Sequence, residues 1–186
     1  TYAVGGEPTY LDPAVASDSV TAYILNQIYF PLFYIGEDGS LVNAACTEYS
    51  VSEDGLVYTF KLSENNYWSD GQQVTAADYV YGMKHAVNSF FITDNVLNAD
   101  ICENKPTAEM DSLGLGIKAV DDFTIEITLK KVMPYFTALL PAGVFYPVRE
   151  EFVKDGDMTW ADDTTVPTNG PFHPTSIDRA SEVVME

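Results

Sequence analysis

The chain has 186 residues, of which 46% are hydrophobic and 13% aromatic, enough apolar mass for a packed core, so global disorder is excluded. Lys and Arg total 9 against 28 Asp and Glu, for a net charge of −19. Nucleic-acid binding needs a positive surface that this chain lacks, and adsorption to anionic membranes is disfavoured for the same reason.

The opening Tyr2 to Val4 predicts a short strand running into a turn at Gly5-Gly6. No basic start or long apolar segment precedes it, and a processed N-terminus reads the same way. No stretch reaches the ~18 apolar residues of a membrane span. Glu7 to Pro13 reads as extended loop, because the residue before each proline is biased away from helix. Asp18 or Ser19 caps a helix that turns Ala22, Ile24, Leu25 and Ile28 inward, and Pro31 stops it.

Phe33 to Ile35 predicts a strand that turns at Gly36-Glu37-Asp38-Gly39. Tyr49 to Ser52 and Val57 to Leu62 predict a hairpin, with Tyr58, Phe60 and Leu62 sharing one face. Thr75 and Asp78 have capping-box spacing. The helix behind them carries Tyr79, Val80, Met83, Ala86 and Val87 on one stripe. Asp94 to Ile101 predicts a further helix, and Glu103 to Ser112 a polar surface insertion.

Ile117 to Val120 and Thr124 to Leu129 predict a second hairpin around Asp121-Asp122. Pro134 starts a short helix with Phe136, Leu139 and Leu140 inward. Arg149 to Lys154 predicts one or two helical turns, and Thr164 to Pro174 a crossover. Helices interleaved with hairpins indicate a mixed α and β lobe.

The search for reactive chemistry is mostly negative. His85 and His173 have no Cys, Asp or Glu nearby at metal-binding spacing. No nucleophile elbow or phosphate loop occurs, and Gly114-Leu115-Gly116 is not a dinucleotide fingerprint. Carboxylates are abundant enough to pair as glycosidases require, yet nothing local raises one carboxyl pKa selectively. The aromatics, among them Trp68, Tyr79, Phe90, Phe91, Tyr135 and Trp160, read mainly as core, with a minority free to line an apolar cleft. Cys46 and Cys102 fit neither a metal knuckle nor a redox pair, and read as two buried small side chains or as one disulfide.

Several blocks then fall into a familiar order. They are Glu7-Pro8-Thr9-Tyr10-Leu11-Asp12-Pro13, Ser52-Glu53-Asp54-Gly55-Leu56-Val57-Tyr58-Thr59-Phe60-Lys61-Leu62, and Trp68-Ser69-Asp70-Gly71-Gln72-Gln73-Val74-Thr75-Ala76-Ala77-Asp78-Tyr79-Val80-Tyr81. Lys118 to Leu129, Pro134-Tyr135-Phe136, Pro147-Val148 and Thr168-Asn169-Gly170-Pro171-Phe172 follow. This order resembles the extracellular solute-binding proteins of ABC importers, in the oligopeptide- and dipeptide-binding family 5. Ser63 departs from it, standing where the family usually has Arg.

The resemblance implies an α/β (mixed α+β) lobe of periplasmic-binding-protein-like type II fold, partial and lacking the opposing lobe. Residues 1–40 would form the N-terminal part of lobe I, 41–165 the intermediate domain, and 166–186 the return into lobe I. It implies a non-enzymatic protein that captures oligopeptides or dipeptides outside the membrane and delivers them to an ABC permease. The expected location is the extracellular face of the cell membrane, with a lipid anchor, or the periplasm. Nickel chelate, haem, an oligosaccharide or a peptide pheromone are alternative solutes. A glycoside-acting enzyme and a surface adhesion module are the readings from other classes. No cofactor and no metal are expected.

The family's ligand loop maps to Ser17, Asp18 and Ser19, where backbone pairing suits a binder indifferent to side chains. Its ligand-approaching aromatic maps to Phe90 or Phe91. The extracellular setting also favours a Cys46–Cys102 disulfide.

Overall fold

A computed structural model describes residues 6–88, 116–154 and 156–186. Helix α1 spans Ser19–Ile28, and a two-stranded ribbon of β1 (Phe33–Ile35) and β2 (Leu41–Asn43) follows it. The central feature is an antiparallel sheet of β3 (Cys46–Val51), β4 (Val57–Leu62), β5 (Ile117–Asp121) and β6 (Thr124–Thr128), in the order β3-β4-β6-β5. Helix α2 (Ala76–Asn88) packs on its core face. Short 3₁₀ turns at Phe136–Leu139, Gly143–Phe145, Glu150–Phe152 and Trp160–Asp162 carry the chain to a closing hairpin of β7 (Pro174–Asp178) and β8 (Glu182–Met185).

The sheet forms because β4 and β6 alternate. Tyr58, Phe60 and Leu62 point inward from β4, opposite Ile125 and Ile127 of β6. Tyr58 pairs with Ile127 and Phe60 with Ile125, so large side chains meet across the two strands. Each such residue fully buried is worth ~1.5–3 kcal/mol. Gly55 turns the β3–β4 hairpin at φ +73°, a conformation costly for any residue with a Cβ.

Helix α2 buries the expected stripe: Tyr79, Val80, Met83, Ala86 and Val87. Helix α1 departs from expectation at one position. Ala22 is exposed and Thr21 is buried in its place. The Thr21 hydroxyl is occupied by hydrogen bonds to Thr9 and Asp18, which lets a polar residue take the inward position. The helix ends at Ile28, two residues before Phe30, which the following proline biases towards extended backbone.

The expected capping box at Thr75 is half made. The Asp78 carboxylate accepts from the Thr75 backbone N–H at 2.7 Å, but the Thr75 hydroxyl also donates to Asp78, at 3.0 Å. That hydroxyl therefore bonds a side chain rather than an orphan helix N–H. The expected strand at Tyr2 to Val4, helix at Asp94 to Ile101 and insertion at Glu103 to Ser112 lie outside the described residues.

The closing segment returns to α1. Gly170 N–H donates to Ile28 C=O at 2.9 Å, and Phe172 N–H to Gln27 C=O at 3.1 Å. These bonds satisfy carbonyls at the helix C-terminus that have no partner within the helix. Only glycine fits at 170, because an added Cβ would meet the backbone of Gln27, Ile28 and Tyr29.

Candidate functional site

The loop before α1 is built around two aspartates. Asp12, only 2% exposed, is held by five contacts. Its carbonyl accepts from the Val15 and Ala16 N–H groups, both at 3.2 Å, and its carboxylate accepts from Ala14 N–H at 2.9 Å. The other carboxylate oxygen takes the Trp160 indole N–H at 2.8 Å and faces His85 Nε2 at 2.8 Å. Tyr81 lies parallel to the His85 ring. Three segments remote in sequence thus converge on one buried carboxylate.

Asp18 works locally. Its carboxylate caps α1, accepting from Thr21 N–H at 2.8 Å, from the Thr21 hydroxyl at 2.6 Å and from the Thr9 hydroxyl at 2.7 Å. Partial desolvation opposes ionisation, but the bonds from Thr21 and Thr9 outweigh it and bring the pKa to about 2. Ser17 and Ser19 on either side are exposed. The structure therefore gives the three residues of the expected ligand loop different roles. The Asp18 side chain is consumed by the fold, whereas Ser17 and Ser19 face solvent.

At the other end of α1 lies an open cleft of about 490 Å³, lined by Phe30, Tyr34, Asn65, Asn66, Tyr67 and Asn169. Its floor is a polar network. Tyr79 donates to Phe30 C=O at 2.7 Å, Asn66 donates to the Tyr79 hydroxyl at 3.3 Å, and Phe30 N–H donates to the Asn169 side-chain oxygen at 3.1 Å. Burial pushes the Tyr79 phenol well above its ordinary pKa, so it stays a neutral donor. A cleft with aromatic walls, amide groups and no charged lining suits an uncharged group. A second groove, between α1 and the β7–β8 hairpin, has Tyr23, Ile24, Phe172 and Val184 among its lining.

The distinctive Trp68-to-Tyr81 block is framework. Arg149, itself buried, pairs with Asp70 at 2.6 Å and with Glu151, and its guanidinium lies over the Trp68 and Phe152 rings. Burial holds the Asp78 carboxyl above its usual range, against the stabilising bonds from Thr75 and the charge of Arg149. Cys46 is a buried free thiol that donates to Glu48 C=O, and burial pushes its pKa up to about 12, so it is not a reactive thiolate. Cys102, Phe90 and Phe91 lie outside the described residues. Among the described residues no group of three His, Cys, Asp or Glu is placed to hold a metal ion, and no helix is long and apolar enough to cross a membrane.

Asn66, Asn169, Tyr34 and the Asp12–His85–Trp160 contacts are absent from the sequence-derived site. The two asparagines carried one signal: Asn169 lies inside the Thr168 to Phe172 block, and Asn66 stands two residues before the Trp68 block. The His85–Asp12 contact joins residues 73 positions apart, beyond any local spacing.

Residues 40–186 match the family described as bacterial extracellular solute-binding proteins, family 5 Middle. The chain is 32% identical over 185 residues to the oligopeptide-binding protein AmiA of Streptococcus pneumoniae, covering 92% of this chain and 28% of that protein. It is 30% identical to the dipeptide-binding protein DppE of Bacillus subtilis, covering 97% of this chain and 34% of that one. Among solved structures, the substrate-binding domain of an oligopeptide ABC transporter from Bacillus anthracis superposes with a TM-score of 0.84 at 28% identity, over 100% of this chain and 36% of that one. Listeria monocytogenes OppA bound to peptide superposes with a TM-score of 0.77 at 34% identity, over 91% and 35%. The chain therefore spans about a third of the length of these relatives, and its mixed helix and sheet fold is that of the corresponding part of periplasmic-binding-protein-like structures.

Proposed function

Because this chain belongs to the bacterial extracellular solute-binding proteins of family 5, we propose that it takes part in capturing peptides outside the membrane for an ABC permease. The role is binding without catalysis. The protein works at the extracellular face of the cell membrane on a lipid anchor, or in the periplasm. The observation that carries the reading is the loop Ser17 to Ser19. Its one charged side chain is saturated internally, and its flanking residues are exposed, so it offers main chain rather than a selective side chain. Every peptide presents the same N–H and C=O groups to such a loop.

In this reading residues 1–40 and 166–186 belong to one lobe, supported by the bonds from Gly170 and Phe172 to the end of α1. Residues 41–165 form the intermediate domain around the four-stranded sheet. Phe90 or Phe91 supplies an aromatic to the ligand. Residues 1–186 correspond to about a third of the length of their relatives, and a peptide held by these residues alone should bind more weakly than micromolar.

A proline substitution tests the loop cleanly. Ser19 is the first residue of α1, where proline is well tolerated, and Asp18 already has φ −115° and ψ 155°, the backbone preferred before proline. Ser19→Pro therefore deletes one backbone N–H while leaving the helix intact. Titration with tetra-alanine followed by amide chemical shifts should give saturable binding to the parent chain and at least tenfold weaker binding to the variant. Equal binding by both would remove the loop from the site.

A second solute class, an amphipathic steroid whose apolar body would lie against the aromatic walls, is favoured by the cleft at Phe30 and Tyr34. One relative, 29% identical, carries the name probable deoxycholate-binding periplasmic protein YgiS of Escherichia coli. Saturable binding of a bile acid at that cleft, with no response to peptides, would favour it over the peptide reading.

A further inference from the structure

Asp12 stands at the base of the Ser17 to Ser19 loop, and its bonds do more than fill a core. Three of them fix the turn from inside: Ala14 N–H to the carboxylate, and Val15 and Ala16 N–H to the carbonyl. The other two come from outside the loop. His85 sits in the last turn of α2, and Trp160 sits in a 3₁₀ turn just before the crossover. A buried carboxylate with a single partner would be costly. Here the cost is offset only while α2, the Trp160 turn and the loop hold their present positions together.

The geometry points to Asp12 and His85 as positioning residues for the ligand loop. We infer that the pair ties the path of residues 14–19 to helix α2, so that the loop's main chain is presented in one conformation. Pre-organisation of this kind lowers the ordering cost of binding. The inference rests on the proposed role of Ser17 to Ser19, but its structural half stands by itself. His85 contributes through its ring nitrogen rather than its bulk. Its ring also stands edge-on to Trp160, with centroids 6.1 Å apart, so the two donors are packed against each other.

The test compares two substitutions in the full chain. His85→Phe keeps a ring beside Tyr81 and removes the nitrogen facing Asp12. His85→Gln keeps an N–H donor at similar reach. Two readouts are taken well below the melting transition: hydrogen exchange at the Ala14, Val15 and Ala16 amides, and the dissociation constant for tetra-alanine. His85→Phe should accelerate exchange at these amides about tenfold, the factor expected for losing one charge-assisted hydrogen bond, and weaken tetra-alanine by a similar factor. Exchange in β4 and β6 should stay unchanged, and His85→Gln should restore both values to within about twofold.

Uniform acceleration across β4, β6 and the loop would reduce the pair to general stability and overturn the inference. So would unchanged exchange at residues 14–16, or failure of His85→Gln to restore it. Should His85→Phe not fold, His85→Asn, too short to reach Asp12, takes its place. If the parent chain shows no tetra-alanine response while exchange follows the expected pattern, the peptide reading fails and the loop–helix tie stands.

Discussion

The four-stranded sheet and the α1 region are stabilised by different means. In the sheet, Phe60, Ile125 and Ile127 are wholly buried, and Phe60 pairs with Ile125 across the two central strands. Helix α1 buries Ile24, Leu25 and Ile28 too, but the loops on either side of it are also held by a few polar bonds between remote residues: Asp12 with Trp160, Phe30 with Asn169, and Gly170 with Ile28. Apolar burial is non-directional and tolerates small shifts, whereas a polar tie is lost over a fraction of an ångström. A scaffold of the first kind can carry a loop of the second kind, set to one geometry.

The largest expected effect lies in the sheet. Phe60→Ala should cost about 4 kcal/mol, because Tyr49, Tyr58 and Phe33 all pack their rings against that side chain. A urea titration measures it, and a loss under about 1 kcal/mol would mean that the site collapses around the cavity. Next comes Gly170→Ala, where the new Cβ would meet the α1 backbone rather than a movable side chain. The expected cost is about 2 kcal/mol, together with altered amide shifts in Gln27 to Tyr29 and little change in β4 and β6. Shifts spread evenly over the sheet would erase the distinction between the two regions.

Two aspartates sharpen the comparison electrostatically, because their shifts have opposite signs. Asp18 is lowered from 3.8 to about 2, so its contribution is present above about pH 4 and is lost as pH falls through about 2. Asp78 is raised by burial, so the folded chain protonates it more readily than the unfolded chain does. Asp18→Ala should cost about 1 kcal/mol near neutrality, and the difference from the parent should vanish on acidification through that window. Asp78→Asn should cost less than Asp18→Asn, because a neutral amide escapes the desolvation penalty. Urea titrations at several pH values check both, and a pH-independent Asp18 effect would contradict the assigned cause. Thr75→Ala is expected to have the smallest effect, about 0.5 kcal/mol, since its hydroxyl bonds Asp78 rather than a helix N–H.

What was legible in the sequence follows the same division. Helix α2, β4 and β6 announce themselves by period, because each buries one face against a core. The Asp18 cap was legible for the same local reason. The β7–β8 hairpin was not, because its turn at Asp178 to Ser181 contains no glycine and its strands are half exposed. Thr21 was hidden because a polar residue took an inward position, which only its bonds to Thr9 and Asp18 explain. The Asp12–His85–Trp160 convergence spans up to 148 positions, and no window reads across that distance. The motif order indicated the family, but not the open cleft that Asn65, Asn66 and Tyr67 line just before the Trp68 block.

The central claim is that the loop before α1 offers its main chain to a peptide while the sheet serves as scaffold. An amide chemical-shift map of the chain titrated with tetra-alanine tests this most directly. The account predicts saturable shifts concentrated at Ser17, Asp18 and Ser19, with β3 to β6 silent. Shifts confined to the cleft of Phe30, Tyr34 and Tyr67, or no saturable shifts at all, would contradict it.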